Sequence, residues 1–192
     1  DAGPAKTTID RVDYSNDSVA AIAKGSLETA MYWLAATGNG NYAYWGGSLT
    51  PLSTVNRTDY SSDTTDASPK GPLSDARAKL AATGNTSYGY FGGGDSPGAV
   101  AVVDRIDYSN DTSQAAVKGP LVAARSYLSA VSPRENDLPT QKIYSTVVSS
   151  SDAEIGTKNT IVGNNFGYWC GGDPAPAGGT KVHRLDFVND TT

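Results

Sequence analysis

One stretch, VVDRIDYSNDT (Val102–Thr112), has three relatives along the 192-residue chain: IDRVDYSNDS (Ile9–Ser18), VNRTDYSSDT (Val55–Thr64) and VHRLDFVNDT (Val182–Thr191). A chain that repeats at near-fixed spacing folds as copies of one supersecondary unit, so no motif residue has a private chemical role until the repeat is accounted for. Tyr14, Tyr60 and Tyr108 are 46 and 48 residues apart, and Phe187 follows after 79. The glycine pairs Gly46-Gly47, Gly92-Gly93 and Gly171-Gly172 keep nearly the same pace, with Cys170 set opposite Gly46 and Gly92. Both landmarks give a unit of about 47 residues, the length range of a propeller blade.

Each complete unit carries four signals. V-x-R-x-D-Y alternates apolar and polar residues and reads as a strand. Ser-Asn-Asp-Ser/Thr follows as a turn whose short side chains bond to their own backbone. An alanine-rich piece then ends in Lys-Gly-Pro-Leu or Lys-Gly-Ser-Leu, at Lys24–Leu27, Lys70–Leu73 and Lys118–Leu121. Last comes a stretch through Leu34, Leu80 or Leu128, leading to the aromatic strands Tyr42-Ala-Tyr-Trp-Gly-Gly and Tyr88-Gly-Tyr-Phe-Gly-Gly. Within it, Ser74–Thr83 has the composition of a short helix, but a ten-residue helix is marginal without packing, and its place between strand signals favours a strand.

The reading is one repeat domain over 1–192, with units at 8–47, 55–94 and 102–172 and a partial unit at 180–192. The third unit holds an insertion, 129–165, with the strand-like Lys142–Val148, and it reads equally as an individual contact surface or as an ornamental or oligomer-packing hairpin. The chain opens at Asp1 directly into a repeat, as expected of a processed piece or a part of something longer.

Composition supports short strands and many turns: 21 Gly, 10 Pro, 11 Tyr and 3 Trp. With 15 Lys plus Arg against 20 Asp plus Glu, and no basic tract, nucleic acid is not an expected partner. No run of 18 apolar residues predicts membrane insertion. The single cysteine, Cys170, excludes an internal disulfide.

The combination of YGYFGGG, VDRIDYSNDT, KGPL and LAATGN resembles kelch-type β-propeller blades. More closely it is similar to the tandem repeats of virion-associated or tail-fibre-like proteins of marine phages, cyanophages above all. The resemblance implies an all-β fold of kelch-like propeller blades, three complete and one partial, belonging to a larger or inter-chain propeller. It further implies a rigid, non-enzymatic structural or adhesion component in the virion, at its surface, tail or fibre. Other copies or other virion proteins would be partners, and a host-surface glycan a ligand. The alternative readings are a glycan-binding, lectin-like propeller and a carboxylate-dependent glycoside hydrolase.

No residue is assigned a catalytic, cofactor-binding or metal role, and no cofactor is expected. Arg11/Asp13, Arg57/Asp59, Arg105/Asp107 and Arg184/Asp186 lie two apart on one strand face and suit a structural ladder of charge-assisted bonds. His183 is the only histidine and is expected as a surface strand residue; a zinc site would have to add carboxylates to it and Cys170, and a serine triad would have to rest on it near a frayed end, so neither is expected. The Asn-x-Ser/Thr patterns at Asn16, Asn56, Asn85, Asn110 and Asn189 are read as turn chemistry, and no dense acidic loop suggests calcium. Asp152 and Glu154 are the acids outside the repeat available to a glycosidase. Most aromatics among Tyr42, Tyr44, Trp45, Tyr88, Tyr90, Phe91, Tyr168 and Trp169 should pack between blades, with a minority left to stack on sugar rings. Trp33, standing where the other copies have Lys79 and Tyr127, is the aromatic least explained by the repeat.

Overall fold

The computed structural model describes residues 4–48, 52–132, 166–173 and 183–186. They form antiparallel sheets in a partial β-propeller-like arrangement, with no α-helix among the described residues. Blade A comprises β3 (Ala35–Gly38), β4 (Tyr42–Gly46), β5 (Val55–Asp59) and β6 (Ser68–Lys70), hydrogen-bonded in that order. Blade B repeats it with β7 (Ala81–Gly84), β8 (Tyr88–Gly92), β9 (Val103–Asp107) and β10 (Ala116–Lys118). Blade C shows β11 (Ser126–Val131), β12 (Phe166–Asp173) and β13 (His183–Asp186), and ahead of blade A stands a two-stranded sheet, β1 (Asp10–Arg11) with β2 (Ile22–Ala23). Each four-stranded sheet thus takes its first two strands from one sequence repeat and its last two from the next. Blades A and B meet through β3 and β7, and blades B and C through β7 and β11.

Local chemistry sets the hairpins. Asn39 Oδ1 accepts hydrogen bonds from the Asn41 and Tyr42 amides at 2.9 and 3.1 Å, and Asn85 Oδ1 from those of Ser87 and Tyr88, both at 2.8 Å. An asparagine side chain imitating the backbone is what turns the Thr-Gly-Asn segment from first strand to second. Asp13, Asp59 and Asp107 do the same at the end of the third strand, each accepting from both the amide and the hydroxyl of Ser15, Ser61 and Ser109.

The core lies between sheets, because a small four-stranded sheet cannot cover both of its faces. Val55 and Leu73 with Tyr44 of blade A meet Leu80, Phe91, Ile106 and Ala115 of blade B in one buried cluster. Val103, Leu121 and Tyr90 meet Leu128 of blade C in the next. The seam ahead of blade A repeats the plan with Ile9, Leu27, Met31 and Ala67. The leucine of each Lys-Gly-x-Leu motif is therefore a plug between neighbouring blades.

The expected arginine ladder crosses these seams. Arg57 Nη1 donates to Asp111 Oδ2 at 2.7 Å and Tyr44 Oη to the same oxygen at 2.9 Å, with Lys70 Nζ 3.7 Å from Oδ1. One seam earlier, Arg11 and Lys24 both pair with Asp63. Arg11 and Arg57 are thus each tied to the turn aspartate of the following blade, while Asp13 and Asp59, two residues along the chain from them, cap turns.

Three expectations change. From Ser74 to Leu80 the chain is neither strand nor helix, apart from an Ala78–Asp95 bridge, and β7 begins only at Ala81. Buried Arg77 anchors this loop, and Lys79 at φ 57 departs from both helical and extended backbone. Ser129–Val131, placed in the insertion by sequence, continue β11 as a strand. Asn56, expected in a turn, lies fully buried within β5 instead. The Lys142–Val148 segment, Asp152, Glu154 and Asn189 lie outside the described residues.

The turn aspartates carry a pH signature. Hydrogen bonds from Ser15, Ser61 and Ser109 hold Asp13, Asp59 and Asp107 below the ordinary value of 3.8, and Lys79 does so for Asp95. A carboxyl with a lower pKa folded than unfolded adds stability that is complete above the unfolded value and lost as pH falls through the folded one. The melting temperature should therefore fall below about pH 4, with these four groups contributing no slope between neutrality and pH 5. A thermal-melt series across that range checks it; an unchanged midpoint at the acid end would contradict it.

Candidate functional site

One repeat position at the start of each blade differs in every complete copy. Trp33, Lys79 and Tyr127 occupy the same repeat position, one residue before Leu34, Leu80 and Leu128. All three have left-handed backbone, at φ 58, 57 and 55, and they are the non-glycine residues with positive φ among the described ones. Bulky side chains pay about 1–3 kcal/mol each for that conformation, and such strain gathers at functional positions. The bend also links the blades: the Lys79 amide donates to Trp33 O and the Tyr127 amide to Lys79 O, both at 2.9 Å.

The three side chains converge, although they lie 46 and 48 residues apart. Lys79 Nζ stands 4.6 Å from the Trp33 ring centroid and 4.8 Å from that of Tyr127, and the two rings meet edge-on at 5.9 Å. Tyr32 adds a tilted ring 5.4 Å from Trp33. Lys79 also donates to Asp95 Oδ2 at 2.8 Å, from the loop joining β8 to β9. That bond, then the neighbouring Tyr127 hydroxyl, raises the Lys79 ammonium above its ordinary value. The pair stays ionised across the neutral range and is neutral as a unit.

Most large apolar side chains at the blade entries are buried, whereas Trp33 is 37% and Tyr127 56% exposed. An aromatic surface left open beside an ammonium and a carboxylate can stack on a ring with apolar C–H faces and hydrogen-bond its hydroxyl groups.

The structure sorts the other sequence candidates. Tyr44, Tyr90 and Phe91 pack between blades as expected, Trp45 Nε1 donates to Thr58 Oγ1 at 3.0 Å, and Tyr42 and Tyr88 are half-buried at the hairpin end. His183 sits opposite Trp169 in strand register, the place held by Asn56 opposite Trp45 and Asp104 opposite Phe91. No group of three or more metal-ligating side chains occurs among the described residues. No helix there is long and apolar enough to cross a membrane. Sequence reading singled out Trp33 but not Lys79 or Tyr127; their mutual divergence in an otherwise regular repeat was the available signal.

No known protein family and no curated protein matches the chain in sequence. Solved structures do match in fold. The bacterial protein YjhT superimposes with a TM-score of 0.66 at 13% identity, over 96% of this chain and 51% of that one. The chain thus spans about half the length of that relative, and a likeness at this identity establishes the fold alone.

These findings correct the kelch and marine-phage assignment. The match is to a bacterial protein rather than a virion component, so a phage location, virion partners and a tail or fibre role are withdrawn. The physical reason is visible in the seams: the repeated string encodes blade-to-blade packing and carries no information about a particle. The non-enzymatic reading is corrected with it. It rested on the virion likeness and on copies that look alike, whereas the copies differ at Trp33, Lys79 and Tyr127. The like fold, shared with a protein outside any phage particle, makes the chain one of several antiparallel sheets in a partial β-propeller.

Proposed function

We propose that the chain is the carbohydrate-recognising part of a β-propeller whose ring is completed by further blades, with Trp33, Lys79 and Tyr127 as the sugar-contacting surface. The observation that carries this reading is the convergence of three left-handed, mutually different residues, two of them exposed aromatics, next to the buried leucines Leu80 and Leu128. The neutral Lys79–Asp95 pair offers donors and acceptors to hydroxyls without selecting an acidic sugar.

Turnover of the bound glycan is the second reading, favoured by Asp95. A carboxylate kept ionised beside a sugar ring suits stabilisation of an oxocarbenium-like transition state.

Titration of an array of neutral glycans, followed by tryptophan fluorescence, tests the recognition. Trp33→Ala and Tyr127→Ala should each weaken binding about tenfold, the loss of one aromatic stacking contact of roughly 1.4 kcal/mol. Binding unchanged in both variants would remove the site. Reducing-end release from the glycans that bind, compared between the unaltered chain and Asp95→Asn, tests turnover; release that persists in the variant excludes Asp95.

A further inference from the structure

The aromatic and cationic cluster lies ahead of β3 and β7, and the hairpin turns at Asn39 and Asn85 lie at the opposite ends of the same strands. There, blades A and B enclose an open cleft of about 390 Å³, unconnected in its residues with Trp33, Lys79 or Tyr127. That volume lies within the range of small-molecule sites, about 300–1,000 Å³.

The lining decides what fits. Asn41 and Tyr42 come from blade A, and Thr86, Ser87, Tyr88 and Asp107 from blade B. Asp107 is the charged lining residue, so an anion is disfavoured, and the polar wall disfavours an apolar molecule. A lone carboxylate does not hold a metal ion, and no cluster of three or more metal-ligating side chains occurs among the described residues. The phenol hydroxyls of Tyr42 and Tyr88 make no hydrogen bond among the described residues, while the Asp107 carboxylate accepts from the amide and hydroxyl of Ser109 through Oδ1. Phenol and hydroxyl donors thus share the cleft with amide and carboxylate acceptors, a mixture that matches hydroxyl groups able to give and receive.

The cleft is also rigid. The Arg57 guanidinium lies 4.3 Å from the Tyr42 ring centroid, and Arg105 lies 4.3 Å from that of Tyr88. Arg57 is itself held by Asp111 at 2.7 Å. Fixed rings lower the ordering cost of binding. Tyr42 and Tyr88 are equivalent in the repeat, both paired in register with the turn aspartate of their blade, Asp59 and Asp107. The design can therefore recur from one blade junction to the next.

We propose that this cleft is a second saccharide site, taking a short neutral oligosaccharide between the hairpin ends of adjacent blades. It does not depend on the first site: the two share no residue and face opposite ends of the strands.

Amide chemical-shift mapping of the full chain with cellotriose, mannotriose and xylotriose as probes tests it, repeated in Trp33→Ala. At least one probe should shift the Asn41, Ser87 and Ser109 amides in both proteins. Tyr42→Phe with Tyr88→Phe, which keeps both rings, should weaken that response about fivefold to tenfold, the effect of losing hydrogen bonds to a neutral ligand. Thr86→Trp, an exposed position on the rim, should abolish it by filling the cleft. If all three probes leave these amides unmoved, or shift them equally in Thr86→Trp, the proposal is overturned. Failure of the first site reads separately, as unmoved Lys79 and Tyr127 amides while the cleft still responds.

Discussion

Arg77→Met will destabilise the chain by about 3–5 kcal/mol, and adding Asp104→Asn will return most of that loss. Arg77 and Asp104 are both fully buried, and Nη1 donates to Asp104 Oδ2 at 2.8 Å. Nε and Nη2 donate to the carbonyls of Gly93 and Phe91 at 2.9 and 3.0 Å, fastening the entry loop of blade B to the end of its second strand. Removing the arginine alone strands a carboxylate in the interior, where its solvation cannot be recovered. Asp104 Oδ1 already lacks a hydrogen-bond partner, so the intact pair stabilises less than its geometry suggests. Blade A shows the neutral solution at the same repeat positions: Met31 with Asn56, the Asn56 Nδ2 lying 3.8 Å from Met31 Sδ. Urea unfolding of the single and double variants measures the effect. A double variant no more stable than Arg77→Met would show that the arginine acts through the two carbonyls rather than through Asp104.

Gly71→Ala should cost about 3 kcal/mol, the upper end of overpacking effects, and lower the melting temperature by roughly 6–12 °C. A methyl group at Gly71 would sit 1.8 Å from Ser113 O and 2.4 Å from Ser113 C, both backbone atoms of the next blade. The Gly71 amide also donates to Asp111 O at 2.8 Å, so the strand cannot retreat without breaking the seam beside the Arg57–Asp111 pair. Gly25 repeats the arrangement against Thr65 O at 2.0 Å, which identifies the glycine of the Lys-Gly motif as a requirement of blade contact. Gly40→Ala is the control: nothing lies within 4 Å of its added carbon, and its midpoint should hold or rise slightly. Equal losses in the two variants would remove the seam contact as the cause.

The acid-end stability loss and the two binding sites separate along the same lines. Asp13, Asp59 and Asp107 are held by serines close along the chain, whereas Asp95 is held by Lys79 of the first proposed surface, and each proposed saccharide surface exists only where blades meet.

Local signals therefore carried far. The period of about 47 residues, the strands from V-x-R-x-D-Y and the aromatic segments, and the Asn and Asp turns are legible because alternation and side-chain mimicry of the backbone operate over a few residues. The interblade role of Tyr44, Tyr90 and Phe91 was legible for the same reason: large apolar side chains on short strands must be covered by another sheet. Less accessible was the irregular course of Ser74–Leu80, where composition favours regular structure and buried Arg77 overrides it.

What the amino-acid order determined by itself was the unit, its strands and its turns. The tertiary structure alone decided that each blade joins halves of two repeats, that Arg57 bonds to Asp111 of the next turn, and that Trp33, Lys79 and Tyr127 converge. Periodicity reports which residues are equivalent; only the packing of one sheet against the next brings equivalent residues together, because that contact spans a whole repeat of chain and depends on backbone angles no local pattern specifies.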